Sequence, residues 1–134
     1  MGVSVYVDTS AFLAVLNQDD RFHPQAKKVW FRLLEDRARL YTNSLVLLET
    51  MALLQSRSGL EAVRAFFHGI YPLLEVQWLD AELFSLAVSL LLTANRRGLS
   101  LVDCSSFLSM QRSRLFKVFA FDPHFAEEGF EVLR

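Results

Sequence analysis

A chain of 134 residues with one cysteine, Cys104, is long enough to bury roughly two thirds of its unfolded surface in one domain, and it excludes an internal disulfide framework. Its formal net charge of -1 excludes a basic arm that holds nucleic acid by bulk attraction, so any polyanion must be held by local arginine and lysine clusters. Apolar residues make up 52%, yet the longest uncharged run, Leu83 to Asn95, is shorter than the ~20 apolar residues of a membrane span, which excludes a transmembrane helix and assigns the apolar surplus to an oligomer or partner interface.

The N-terminal run MGVSVYVDTS lacks the basic region, apolar core and cleavage site of a signal peptide, so the mature chain is expected to start at residue 1. A lone cysteine fits a reducing cytoplasm. Val3 to Val7 is a short β-rich run ending at Asp8, and Thr9 to Leu16 turns helical with Phe12, Leu13 and Leu16 on one side. Asn17 to Gln25 is a polar loop closed by Pro24, which suits the first turn of a helix. That helix is expected to reach about Ala38, with Ala26, Val29, Trp30, Leu33 and Leu34 as its apolar stripe.

Leu40 to Thr42 is a brief strand, after which Asn43 or Ser44 caps a helix that runs to about Ser58 and stops at Gly59. Its apolar positions, Leu45 to Leu48 and Met51 to Leu54, go nearly all the way round, which predicts burial on every side. The next helix, Leu60 to about Gly69, carries Val63, Phe66 and Phe67, and this helix pair is the expected contact with a second subunit. Leu74 to Leu79 is a third strand, Asp80 to Arg97 a long helix ending at Gly98, and Val102 to about Arg114 another helix. Lys117 to Phe121 and Phe130 to Leu133 are the last strands. Short apolar strands alternating with helices imply a mainly parallel sheet of four or five strands covered on both faces. With no repeat, linker or low-complexity tract, one three-layer α/β/α sandwich accounts for residues 1–134.

Ligands of open parallel sheets bind beyond the carboxyl ends of the strands. Asp8 ends the first strand, Asp122 follows the run VFAF, Asp103 opens a helix after a strand-to-helix loop, and Glu49 sits about one turn inside its helix. Four carboxylates brought together repel, and without a cation some would be protonated. Mg²⁺ or Mn²⁺ suits such a set, being hard ions that take carboxylate and water oxygens and leave positions for phosphate. The chemistry that follows is phosphodiester hydrolysis. Capping is the competing reading, because aspartate between a strand and a helix accepts backbone N–H groups in any fold. Asp80 shows this, sharing Asp8's setting with nothing else to select it. Glu49 is the more telling acid, since it lies among Leu45, Leu47, Leu48, Met51 and Ala52, where an unpaired charge is costly.

The stretches VYVDTSAFLAVL, SLVLLETMALLQSRSG, GLSLVDCSSFLSMQR and VFAFDPHFAEEGFEVL together resemble the PIN domain family, and within it the VapC-type toxins of prokaryotic toxin–antitoxin pairs. The resemblance covers nearly the whole chain, and it lies in four acids, in order, each in its apolar frame. It implies a Mg²⁺- or Mn²⁺-dependent endoribonuclease, a homodimer, a cytoplasmic location, structured RNA such as transfer or ribosomal RNA as substrate, and a cognate antitoxin whose tail enters the cleft. It also implies that Asp8 and Asp103 hold metal directly, with Glu49 and Asp122 completing the site through water or a second ion. The family's third strand lies at the sheet edge, which sets Asp80 away from the cleft. Ser10 resembles the family hydroxyl beside the first acid; it can orient a ligand or serve as a second helix cap.

Arg57, eight positions after Glu49, and Arg96 and Arg97, just before the loop into Asp103, are candidates for RNA phosphate contacts. Arg97 next to Gly98 also fits the positive charge favoured at a helix C-terminus, and Arg112, Arg114 and Lys117 read as a solvated edge. His23, His68 and His124 lack zinc-ligand spacing and read as surface or half-buried residues, and Cys104 as a small packed side chain. Trp30 and the phenylalanine-rich helices read as core or interface. A non-catalytic PIN-fold module that binds RNA or protein and keeps the acids as caps is the alternative function. A receiver or phosphatase is disfavoured, because Thr9 and Ser10 stand where those chemistries want a second acid.

Overall fold

The computed structural model describes residues 2–134; Met1, the expected start of the mature chain, lies outside the described residues. Strand β1 (Ser4–Val7) leads into helices α1 (Thr9–Leu16) and α2 (His23–Glu35), then β2 (Arg39–Asn43), α3 (Ser44–Ser58) and α4 (Leu60–Gly69). After a 3-10 turn at Tyr71–Leu73 come β3 (Leu74–Gln77), α5 (Ala81–Ala94), α6 (Leu101–Arg112), β4 (Lys117–Phe119), α7 (His124–Glu127) and β5 (Glu131–Leu133).

The five strands form one sheet in the order β3-β2-β1-β4-β5. All four pairings are parallel, with Tyr6 opposite Tyr41 on one side and Val118 on the other. Successive crossovers from β1 step towards β3, and the later ones step towards β5, so the chain reverses direction between β1 and β4. That reversal opens a crevice at the carboxyl ends of these two strands. Helices cover both faces, giving the expected three-layer α/β/α sandwich.

One face of the sheet carries polar side chains that reach helix α6. The Tyr6 hydroxyl donates to Ser106 Oγ at 2.9 Å, and Asn43 Nδ2 donates to Ser105 and Ser109 Oγ, both at 3.1 Å. Gln77 Nε2 donates to Ser113, the C-cap of α6. Each of three adjacent strands therefore pins this helix through a directional bond. Asn43 does double duty, because its Oδ1 also accepts from Val46 N–H as the N-cap of α3. Apolar packing fills the rest of the interior, with Phe12 edge-on to Phe66 and Phe107 edge-on to Phe125.

Several expectations need correction. Helix α2 stops at Glu35 rather than near Ala38, since Arg37 adopts φ 52 and turns the chain into β2; Leu34 is exposed. Helix α5 stops at Ala94, where Asn95 takes the left-handed conformation at φ 50, so Arg96 and Arg97 lie beyond the helix and Gly98 is not its terminator. Helix α3 is not buried on every side, for it packs through Val46, Leu47, Thr50 and Leu54 and leaves Leu48 68% exposed. Strands β3 and β4 each end two residues early, and the short α7 was not anticipated.

Replacing Asn43 by alanine removes the α3 cap and two buried bonds to α6, and is expected to cost about 2–4 kcal/mol in urea unfolding. Asn43→Ser keeps a capping hydroxyl and is expected to recover about 1 kcal/mol of that loss.

Candidate active site

Where β1 gives way to α1, Asp8 is the N-cap: its Oδ2 accepts the Ser10 N–H at 3.1 Å and the Ser10 hydroxyl at 2.6 Å. No bond within the described residues falls on Oδ1. The Asp8 backbone N–H donates to Phe119 O at 3.1 Å, which extends the β1–β4 pairing to the base of the site. Ser10 Oγ also accepts the Phe121 N–H at 2.9 Å, across 111 positions of sequence. One hydroxyl thus joins the first acid to the segment that carries Asp122. The Ser10 hydroxyl caps no backbone N–H of α1; it holds the Asp8 carboxylate and links it to Phe121.

Asp103 is the third residue of α6 and closes a capping box. Ser100 Oγ accepts the Asp103 N–H at 3.0 Å, and Asp103 Oδ2 accepts the Ser100 N–H at 3.2 Å. Asp122 Oδ1 accepts the His124 N–H at 2.9 Å and so starts the turn into α7. Each of the three aspartates spends one carboxylate oxygen on nearby backbone, and the other takes no protein hydrogen bond among the described residues. Capping and ligand binding, posed as alternatives from sequence, are compatible in the same side chain.

A cleft of ≈ 270 Å³ is lined by Asp8, Ser10, Glu49, Ser100, Asp103 and Asp122, with Thr9, Leu13, Leu53 and Gly98. All four predicted acids therefore border one space, and Asp80 is not among them. Asp80 caps α5 through the Leu83 N–H and faces Arg112 at 3.6 Å, on the edge-strand side of the sheet. Glu49 is half-buried and makes no hydrogen bond or ion pair among the described residues.

His124, expected to be a surface or half-buried residue, is half-buried beside the cleft. One ligand-type atom from each of Asp103, Asp122 and His124 lies within 4.8 Å of the others. The imidazole is nonetheless occupied: Nε2 donates to Gly98 O at 2.9 Å, and Nδ1 lies 3.1 Å from Glu127 Oε1 and 3.2 Å from Arg96 Nη2. Burial disfavours its charged form, but the bonds to Glu127 and Gly98 and the field of Asp122 and Asp103 outweigh it and raise its pKa. The ring is a tie between the Gly98 loop and α7, and with both nitrogens engaged it does not fit the role of metal ligand. Its signal in the sequence was the Asp-Pro-His run; that of Ser100 was its position three before Asp103.

The arginines separate. Arg96 pairs with Glu127 and Glu128 at 2.5 and 3.9 Å, while Arg97 is exposed in the turn after α5. Both line a larger hollow of ≈ 360 Å³ that contains no acid. Arg57 is exposed near the end of α3 and borders neither space. Cys104, completely buried behind Asp103, is packing, and burial raises its pKa.

Electrostatics mark the cleft. Burial pushes the Asp8 carboxyl up to about 7, against the bonds from Ser10, with added repulsion from Asp103 and Asp122. Burial and the repulsion of Asp122 push Asp103 up to about 6, against its bonds to Ser100. Acids held this way favour protons or a cation. Hard oxygen donors with open lone pairs, two of them strained towards protonation, fit a divalent cation.

A family model described as PIN domain matches residues 5–131. The chain is 32% identical over 131 residues to the 23S rRNA-specific endonuclease VapC20 of Mycobacterium tuberculosis, in strains CDC 1551 / Oshkosh and ATCC 25618 / H37Rv, spanning 97% of this chain and 98% of that protein. The crystal structure of M. tuberculosis VapC20, described as a Sarcin-Ricin loop cleaving toxin, matches with a TM-score of 0.83 at 31% identity, over 94% of this chain and 95% of that one. VapBC2 from Rickettsia felis, solved with a DNA fragment from its promoter, shares the fold with a TM-score of 0.66 at 14% identity, over 97% of both chains.

Because the folded pKa values of Asp8 and Asp103 stand above the ordinary 3.8, their contribution to stability is complete only below that value and is lost as pH rises through about 6 and 7. In chelator the melting temperature is therefore expected to fall between about pH 4 and about pH 7, and Asp8→Asn should flatten that slope. Scanning calorimetry across this range checks it. An unchanged slope in the variant counts against a strained Asp8.

Proposed function

This chain belongs to the PIN domain family, among its VapC-type members, and on that premise we propose that it is a metal-dependent endoribonuclease acting as the toxin of a toxin–antitoxin pair. The observation that carries this reading is the set of three anchored aspartates, each with one oxygen left to a shared cleft that Glu49 also borders. We take residues 1–134 as a single catalytic unit.

In this proposal Asp8 and Asp103 hold the metal directly, with Glu49 and Asp122 completing the site, and Mg²⁺ or Mn²⁺ is the physiological ion. A divalent cation bound there supplies a Lewis acid for a phosphoryl oxygen and a bound water of lowered pKa. Glu49, whose carboxylate has no protein partner, is free to accept a proton from an attacking water. Ser10 holds Asp8 in place, and the Gly98–His124 tie holds the Ser100 loop beside Asp122. Arg96, Arg97 and Arg57 are assigned to the RNA backbone, where contacts with phosphate give register rather than sequence.

The substrate is a structured RNA. The M. tuberculosis relative is named for 23S rRNA, and we propose the same class of target here in preference to transfer RNA. The exposed apolar groove between α3 and the α4–β3 segment, lined by Leu48, Met51, Phe67, Tyr71 and Trp78 among others, has a volume of ≈ 260 Å³. We assign it to homodimerisation, as the apolar α3–α4 pair suggested. An antitoxin tail entering the acidic cleft completes the set of partners. No helix among the described residues is long and apolar enough to cross a membrane, and the proposed site of action is the cytoplasm.

Purified chain freed of antitoxin is expected to cleave ribosomal RNA with Mg²⁺ or Mn²⁺ and to be silent in chelator. Asp8→Asn, Glu49→Gln and Asp103→Asn should each lower the rate by ~100-fold or more while circular dichroism stays native. RNA binding that persists in chelator and in Asp103→Asn, with no cleavage by the wild type, would instead establish the non-catalytic binding module. Adding Mn²⁺ should raise the melting temperature of the wild type at neutral pH and leave Asp8→Asn nearly unmoved.

A further inference from the structure

We infer that the buried hydroxyl pair Thr9–Thr50 fixes where Glu49 stands against Asp8, which makes both threonines positioning residues of the nuclease site. The inference rests on the function proposed above and adds to it a means of placing the one acid that has no anchor of its own. Thr9 directly follows Asp8 and Thr50 directly follows Glu49. Thr50 Oγ1 donates to Thr9 Oγ1 at 3.2 Å, and Thr9 Oγ1 donates in turn to Val46 O at 3.5 Å. Thr50 is completely buried and Thr9 nearly so. Among the described residues these are the only side-chain hydrogen bonds that join α1 to α3.

A threonine inside a helix ordinarily satisfies its hydroxyl on the carbonyl four residues back. For Thr50 that carbonyl belongs to Val46. Here Thr9 takes the Val46 carbonyl instead, and the Thr50 hydroxyl is turned outwards onto Thr9. The bond that would have closed within α3 is converted into a link between helices. The other side chains these helices bury, Ala11, Phe12, Leu13 and Ala14 on α1 and Val46, Leu47 and Leu54 on α3, are apolar, and apolar attraction has no direction to resist a small rotation. The hydroxyl pair has a direction.

Asp8, Asp103 and Asp122 are each held through one oxygen, whereas Glu49 goes where α3 carries it. On a helix, a carboxylate ~6 Å from the axis moves through ~1.5 Å for a rotation of ~15°. An error of that size at a reacting centre is enough to cost ~100-fold in rate. The directional constraint nearest to Glu49 in sequence is the hydroxyl of Thr50.

Thr50→Val preserves shape and removes the donor, and it leaves no buried donor without an acceptor, because the Thr9 hydroxyl keeps the Val46 carbonyl. Calorimetric titration of the full chain with Mn²⁺ is expected to give ~10-fold weaker affinity in Thr50→Val. The melting temperature in chelator should stay close to that of the wild type. With RNA, kcat should fall and KM stay unchanged, and Thr50→Ser should restore both Mn²⁺ affinity and kcat. Thr9→Val breaks the same link from the other side, so it should match Thr50→Val, and the double variant should be no worse than either single one; this arm decides the matter if Thr50→Val fails to fold. Asp8→Asn run in parallel separates the two levels of the argument. Wild type that binds Mn²⁺ and cuts RNA, with both threonine variants indistinguishable from it, overturns the positioning role alone. Wild type that neither binds Mn²⁺ nor cuts RNA overturns the proposed function and this inference together.

Discussion

Asp8, Asp103 and Asp122 repel one another, and what keeps them side by side is that each is bonded to backbone through a single carboxylate oxygen. The Ser10, Ser100 and His124 amides hold them, and these same bonds start α1, α6 and the turn into α7. Moving an acid away from its neighbours would unravel the helix or turn it begins. Helix formation is thereby used against electrostatic repulsion, and the raised pKa values of Asp8 and Asp103 reflect burial first and that repulsion second. Ionising Asp8 in the folded chain, with its pKa near 7 against an ordinary 3.8, costs of the order of 4 kcal/mol. That is a sizeable share of a domain's net stability, and a bound cation would relieve it.

Such a site needs a frame that does not slide. Helix α6 carries Asp103, and the sheet holds this helix by polar pins from Tyr6, Asn43 and Gln77 to a row of serines. Burial drives the Tyr6 phenol pKa upwards, so the group remains a neutral donor to Ser106 under all working conditions. Buried polar contacts add little net stability compared with apolar ones but admit one geometry. The device recurs at Ser10, whose hydroxyl ties Asp8 to Phe121 N–H, and at Thr9 and Thr50 between α1 and α3.

The sequence carried the order of strands and helices because apolar runs and caps are local signals. Asn43 and Gly59 bounded α3 where expected, and the four acids were legible because each stood at the start of a helix, inside one, or just after a strand. What escaped was one local stop signal and several non-local contacts. Asn95 ended α5 ahead of Gly98 because asparagine tolerates the left-handed conformation, and no apolar pattern announces that. Leu48 read as core because composition does not separate an exposed apolar residue from one in the interior. His124 was judged by the spacing of a zinc ligand, whereas its importance comes from Gly98 and Glu127 meeting it in space.

The strand at the centre of the sheet is the first to be made, and the neighbour that completes the crevice, β4, comes near the end of the chain; the bond from Phe121 to Ser10 spans 111 positions. Contacts of such long range are slow to form and arise late in folding. On a growing polypeptide the cutting centre therefore has no partial form: until the last quarter of the message has been read, Asp8 and Glu49 face an empty half-crevice. A nascent chain therefore carries Asp8 and Glu49 long before it carries the cleft that brings them beside Asp103 and Asp122.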